Sequence, residues 1–206
     1  PACPQAPPLW HEGLIAVKDR TISRVAEGSE DLPFLRARIG QKPQRLVAMG
    51  GNHDVVERLL ATMQSLGGST ASFGDWQRAG ADATAMNVAE DKLRRVNDFF
   101  NRRIQSGNDQ EIWGQSDYWA TLLETLARGR GDCEDFTTAK YFTLLNVGVP
   151  NEQLRLIYVK ARIGGTASRV SQPHMVLAYY DAPEADPIVL DNLIADLRTP
   201  PRRPDL

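Results

Sequence analysis

The residues best suited to catalysis in this chain are a cysteine and the three acids around it. Asp132, Cys133, Glu134 and Asp135 follow Gly131 at the start of a helical pattern. The positive end of a helix lowers the pKa of a thiol, whereas three neighbouring carboxylates raise it by repelling the thiolate. A hard divalent cation bound by the carboxylate oxygens would remove that conflict. The motif therefore predicts a cysteine nucleophile beside a calcium-type site.

A thiol nucleophile also needs a base, and the base needs an acceptor that orients it. His174 begins a β-rich run, whereas the other two histidines, His11 and His53, lie in the irregular first part of the chain. Asp191 lies in the next β-rich run, which a short turn would place beside the first. The order predicts a triad of Cys133, His174 and Asp191, with the backbone N–H of the cysteine aimed at a developing oxyanion. Taken singly, each residue has a commoner structural role, such as a buried thiol, a core histidine or a helix-capping acid.

The elements that position these residues can be predicted from hydrophobic periodicity. Apolar residues at helical spacing predict three helices, at 88–105, 118–126 and 133–146. Runs rich in β-formers predict three strands, at 154–160, 174–180 and 187–193. Asp132 is a natural N-cap for the cysteine helix, and the turn at 181–186 would join antiparallel neighbours. Helices followed by strands indicate an α+β domain whose nucleophile helix packs on an antiparallel β-sheet.

The first 73 residues differ from the rest of the chain. Proline and glycine interrupt them often, with short helical patches near 10–26 and 54–66 and a predicted linker at 67–72. We therefore expect an N-terminal extension of unclear fold over 1–73 and a domain over 74–206. Because Cys3 lies in a Pro-rich tail, a bridge to Cys133 would stabilise little, and two free thiols are expected.

Composition limits the classes of partner. The chain has 206 residues, 42% of them hydrophobic, which is enough for one domain with a real core. A net charge of −2 and a pI near 6.0 give no electrostatic case for nucleic acid or an anionic membrane. No apolar run approaches the roughly 18 residues that cross a bilayer, so direct membrane insertion is not expected. The start lacks the layout of a signal peptide, which leaves either a cytosolic protein or a mature or cut sequence.

Longer motifs around these residues resemble a known family. They are DCEDF at 132–136, AKYFTL at 139–144, LRL at 154–156, HMVLAY at 174–179 and VLDNL at 189–193, with VNDFFN at 96–101 and DYWA at 117–120 upstream. Over roughly residues 74–206 the chain resembles the bacterial transglutaminase-like cysteine proteinases. Residues 1–73 do not match the family, and the chain stops where members usually continue, so its C-terminal end is expected to be truncated.

The resemblance implies a papain/transglutaminase-like fold with the triad named above. It also implies calcium dependence, with ligands from Asp132, Glu134 and Asp135 and, as the weakest candidate, Asn192. Members of the family act in the periplasm and cut a large cell-surface adhesin near its N-terminus, at a paired-alanine site, which releases the adhesin and disperses biofilm. An inner-membrane cyclic-di-GMP receptor of the LapD kind sequesters the protease when the second messenger is abundant.

Two other functions share this fold. An acyl transferase of transglutaminase type uses the same nucleophile and base, but an amine instead of water resolves its thioester. A catalytically silent binding module would keep the fold and only capture a partner. The complete set of triad residues argues against the module.

Overall fold

The computed structural model describes residues 60–164 and 168–206. Residues 60–65 are helical, and five helices follow: α1 (Thr70–Thr84), α2 (Ala89–Arg103), α3 (Asp109–Trp113), α4 (Leu122–Arg128) and α5 (Cys133–Asn146). Two short strands, β1 (Gln105–Ser106) and β2 (Arg130–Gly131), pair in parallel among the helices. The larger sheet contains β3 (Leu154–Arg162), β4 (Ser171–Tyr179) and β5 (Ile188–Leu190). The predictions for residues 1–59 lie outside the described residues.

The three-stranded sheet is antiparallel throughout, in the order β3-β4-β5. Val159 pairs with His174, and Leu177 pairs with Leu190. β5 is shorter than expected, so Asp191 lies just beyond the strand and not within it. The reason is local: Asp191 Oδ1 accepts a hydrogen bond from the Leu193 N–H at 2.9 Å, a turn that ends the strand pairing.

Helix α5 is the centre of the domain. It packs against α2 on one side and β4 on another, and eleven of its fourteen residues are buried. Leu144 of this helix, Leu93 and Phe100 of α2 and Leu177 of β4 are all fully buried. Each such side chain contributes about 1.5–3 kcal/mol by leaving water. The structure therefore agrees with the predicted nucleophile helix on an antiparallel sheet.

Two sequence predictions were wrong at helix starts. The helix expected at 118–126 begins at Leu122, where Thr121 and Glu124 form a capping box. The linker expected at 67–72 is helical from Thr70, because the Ser69 side chain accepts from the Ser72 N–H and caps α1. Short polar residues favour linkers and helix caps alike, so their presence alone does not distinguish the two.

Candidate active site

Cys133 is the first residue of α5, and the acids around it form the helix cap. Asp132 Oδ1 accepts from the N–H groups of Glu134 and Asp135 at 3.0 and 3.3 Å. The Asp135 carboxylate accepts in return from the Asp132 N–H, which completes a capping box. Cys133 is thereby held in the first helical turn, where the helix dipole favours a thiolate.

The cysteine lies against the strand that carries the predicted base. Its Sγ accepts from the Met175 N–H at 3.3 Å and lies 3.0 Å from Glu134 Oε2. Met175 packs on it, with Trp119, Leu156 and Tyr158 around the pair. His174, the predicted base, is the residue before Met175 in β4, so its backbone adjoins the one that contacts the cysteine sulfur.

Cys133 is disulfide-bonded in this structure, in place of the free thiol expected from the sequence. Free thiols were expected because a bridge to a terminal segment would stabilise the fold little, but a small gain in stability does not decide whether the bond forms. Cys3, the other cysteine in the sequence, lies outside the described residues. The nucleophilic form is the reduced thiolate.

His174 and Asp191 are joined by a buried hydrogen bond. His174 Nε2 and Asp191 Oδ1 are 2.7 Å apart, and each residue is 1% exposed. Burial raises the pKa of Asp191, but His174, the Leu193 N–H and Arg203 outweigh it and hold that pKa well below its usual value. Asp191 therefore stays ionised and holds Nε2 of the imidazole, which leaves the other ring nitrogen, Nδ1, outside this bond.

Two buried cations near Asp191 were not predicted from the sequence. Arg203 Nη2 donates to Asp191 Oδ2 at 2.7 Å. Lys140, two turns along α5 from the cysteine, is 0% exposed, and its Nζ has no hydrogen-bond partner among the described residues. Burial lowers the pKa of Lys140 to about 7, against the opposing effect of the Asp191 charge. No sequence signal marked either residue, because both reach the site only through tertiary packing.

A cluster of buried carboxylates adjoins the cysteine. Oxygens of Asp109, Asp132 and Asp135 lie within 4.8 Å of one another, and oxygens of Asp132 and Glu134 are similarly close to the Cys133 sulfur. Burial, then the Asp132 charge, raises the pKa of Asp135 to about 8 and that of Asp109 to about 6. The same two causes raise the pKa of Glu134 well above its usual value. The cluster thus disfavours its own full ionisation unless a counter-charge is present.

The cluster has the oxygen chemistry that Ca²⁺ prefers. Asp109, which the sequence analysis missed, is 3% exposed, and its buried Oδ1 accepts no hydrogen bond from the described residues. The pairing of β1 with β2 brings α3, and so Asp109, beside the cysteine helix. A buried carboxylate oxygen without a donor fits the role of a cation ligand, and of the four expected ligands Asp132 and Asp135 lie with it. Asn192 follows Asp191, and its buried Oδ1 likewise lacks a donor among the described residues.

The same acids hold the segment that precedes α4. Asp109 Oδ2 accepts from the Tyr118 N–H at 2.5 Å, and Asp135 Oδ1 accepts from the Ala120 N–H at 2.7 Å. These bonds keep the segment irregular, which is why the helix starts later than periodicity predicts. The segment carries Trp119, which packs beside the cysteine.

Comparisons with known proteins give a family and similar solved structures. A protein-family model described as bacterial transglutaminase-like cysteine proteinase matches residues 75–201. Two solved structures of Legionella pneumophila LapG, one EGTA-treated and one calcium-bound, are 34% and 38% identical to the chain. Each has a TM-score of 0.60 and covers 73% of this chain, and the matches cover 77% and 80% of the LapG chains respectively. No curated protein matches.

The predicted fold class is confirmed. No helix among the described residues is long and apolar enough to cross a membrane.

Proposed function

The chain belongs to the bacterial transglutaminase-like cysteine proteinase family, and on that premise we propose that it is a calcium-dependent cysteine endopeptidase. Cys133 is the proposed nucleophile, His174 the base and Asp191 the acceptor that orients the base. The observation that carries the proposal is the buried 2.7 Å bond between His174 and Asp191, on a strand whose next residue contacts the cysteine sulfur. A thiol, an imidazole and a carboxylate in this order are the parts of a cysteine protease.

The proposed reaction begins with the reduced thiol. Asp191 holds Nε2–H of His174, so Nδ1 takes the thiol proton, and the Cys133 thiolate attacks the scissile carbonyl carbon. The N–H of Cys133 belongs to the first helical turn, where N–H groups do not bond within the helix, and it is the proposed donor to the oxyanion. Nδ1–H then protonates the leaving amine, and a water that gives its proton to Nδ1 hydrolyses the thioester.

Calcium is the proposed cofactor, held by Asp109, Asp132 and Asp135, with Glu134 and Asn192 as further candidate ligands. The close carboxylates and the donorless Asp109 Oδ1 support this assignment, as does the likeness to a calcium-bound LapG. A bound dication would neutralise the acids at the helix start and so remove their repulsion of a thiolate at Cys133.

The proposed substrate is a large cell-surface adhesin, cut near its N-terminus at a paired-alanine site, so that the adhesin is released and biofilm disperses. The proposed regulator is a LapD-like inner-membrane cyclic-di-GMP receptor, and the proposed location is the periplasm. Family membership and the likeness to LapG support these three points.

The test incubates the reduced protein with N-terminal adhesin fragments in calcium, in EGTA and in magnesium. We expect cleavage in calcium, none in EGTA, and little in magnesium, which demands tighter octahedral geometry and gives up water reluctantly. Cys3→Ala is the matched control for Cys133→Ala and should cleave normally. Incorporation of an added amine instead of hydrolysis would favour the transferase, and binding without turnover in calcium would favour the silent module. Full activity in EGTA would refute calcium dependence.

A further inference from the structure

Arg203 is buried within the domain and has two acidic partners. It is 2% exposed, and its Nη2 donates to Asp191 Oδ2 and to Asp205 Oδ2, each at 2.7 Å. Its Nε donates to Asp205 Oδ1 at 2.9 Å. Removing a guanidinium from water costs several kcal/mol unless hydrogen-bonded anions compensate. Here one of the two compensating anions is the carboxylate that holds His174.

The segment that delivers Arg203 is anchored independently of Asp191. We call residues 199–206 the C-terminal strap. Just before the strap, the Val189 N–H of β5 donates to the Arg198 carbonyl at 2.9 Å, and near its end the Arg162 N–H of β3 donates to the Asp205 carbonyl at 2.6 Å. Leu206, which follows Asp205, packs against apolar side chains of the sheet. The position of the guanidinium is therefore set by the sheet.

Three donors hold the Asp191 carboxylate. Oδ1 accepts from His174 and from the Leu193 N–H, and Oδ2 accepts from Arg203. The carboxylate cannot rotate without losing one of these bonds. Lys140 is another basic residue near Asp191, but burial lowers its pKa to about 7, whereas a guanidinium stays charged when buried. Arg203 is thus the cation that remains charged beside Asp191 throughout the neutral range.

We propose that Arg203 is a positioning residue of the catalytic site, which acts through Asp191 and is itself fixed by Asp205. This rests on the proposed triad. Without Arg203, Oδ2 would be a buried oxygen without its donor, so the Asp191 carboxylate would be free to turn away from His174. The imidazole would then lose its orientation, and the thiol would lose its base.

The test compares Arg203→Met with Arg202→Met, an exposed neighbour in the same turn, in reduced protein with calcium. Arg203→Met should lower kcat by at least about tenfold with little change in KM, since it leaves substrate contacts in place. The acidic limb of its pH profile should move to higher pH, because Asp191 loses a cation. Arg202→Met should match the wild type in both readouts. A purely structural role would lower the melting temperature but leave the kcat of the folded fraction and the pH profile unchanged.

Two further variants keep the proposal testable if Arg203→Met does not fold. Arg203→Lys keeps a positive charge but loses the planar guanidinium that donates to two carboxylates at once. Asp205→Asn removes the charge of the second carboxylate that holds the guanidinium. Each should lower kcat less than Arg203→Met would. Wild-type kcat and pH profile in both would overturn the proposal, as would a folded Arg203→Met with kcat within twofold of wild type.

A substrate-independent readout separates this proposal from the proposed function. Iodoacetamide alkylates Cys133 at a rate set by its thiolate fraction, and that rate depends on the His174 pairing whether or not the chain cleaves an adhesin. If the wild type cleaves nothing, the proposed function fails, yet an Arg203 variant with a shifted alkylation midpoint still supports the positioning role. An unshifted midpoint in the folded Arg203 variants overturns it.

Discussion

Raising the pH from 5 to 7 without a divalent cation should destabilise this fold, because a buried carboxyl group must then give up its proton. The pKa of Asp135 is about 8 in the folded protein, against 3.8 for an unperturbed aspartate. Between these values the folded state keeps a proton that the unfolded chain has lost. The free energy of unfolding therefore falls as pH rises, by about 1.4 kcal/mol per pH unit for one such group.

The expected magnitude follows from that slope. Over two pH units Asp135 alone accounts for about 3 kcal/mol, which corresponds to roughly 5–11 °C in melting temperature for a domain of this size. Asp109 and Glu134 add to the loss with the same sign, because their pKa values are also raised. Calcium at one hundred times its Kd should return about 2.7 kcal/mol at pH 7.

The assay is urea unfolding of the reduced protein at pH 5, 6 and 7, in EGTA and in calcium. The series stops at pH 7 because Lys140 contributes with the opposite sign above that value. Asp135→Asn should make the slope in EGTA shallower by about 1.4 kcal/mol per pH unit. Asp186→Asn, at an exposed aspartate in the turn before β5, is the matched control and should change the slope much less. A free energy of unfolding in EGTA that does not change with pH would refute the reasoning. So would an Asp135→Asn variant whose slope against pH equals that of the wild type.

Three other predictions concern single residues. Cys133→Ala should abolish cleavage while the urea midpoint of the reduced protein changes little, and a cleaving variant would end the cysteine-protease proposal. His174→Ala should remove nearly all activity and Asp191→Asn much of it. Alkylation of Cys133 should slow in both, and an unchanged rate across pH 5 to 8 in His174→Ala would argue against a thiol–imidazole pair. Lys140→Met should stabilise the protein at pH 7 by up to about 5 kcal/mol, since the folded wild type gives up a proton that the unfolded chain keeps until about pH 10.5. The free energy of unfolding of the wild type should rise from pH 7 to 10, and that of the variant should not. Urea unfolding that gave the same pH dependence for both proteins would contradict this.

The parts of the fold with local signals were predictable from the sequence. Helix α5 begins and ends as predicted, because the Asp132 cap and the Gly148 and Pro150 stops are near neighbours of the helix. The strands were also found, since their β-rich runs are short and bounded by turn residues. The true start of α4 was missed because acids distant in sequence bind the backbone N–H groups before it.

The site was predictable only as far as its motif extends. The acids beside Cys133 are visible in one stretch of five residues, and order along the chain suggested His174 and Asp191. Asp109 comes to the cluster through the two-residue pairing of β1 with β2, which has no periodicity to detect. Nothing in the sequence distinguishes Arg203 from other polar residues of its Pro-rich segment, because it reaches Asp191 only through tertiary packing.

The burial of α5 on nearly every side also bears on how often the nucleophile is exposed to solvent reagents. Amide protons in such a helix exchange with solvent only through openings that approach global unfolding, unlike those of surface loops. Cys133 lies in the first turn of this helix and is 3% exposed. Reagents can reach the cysteine through local movement at the start of the helix, whereas the amides of its later turns open only with the domain. Amide exchange through the buried part of the helix, up to Leu145, should track the free energy of unfolding under every condition that changes it.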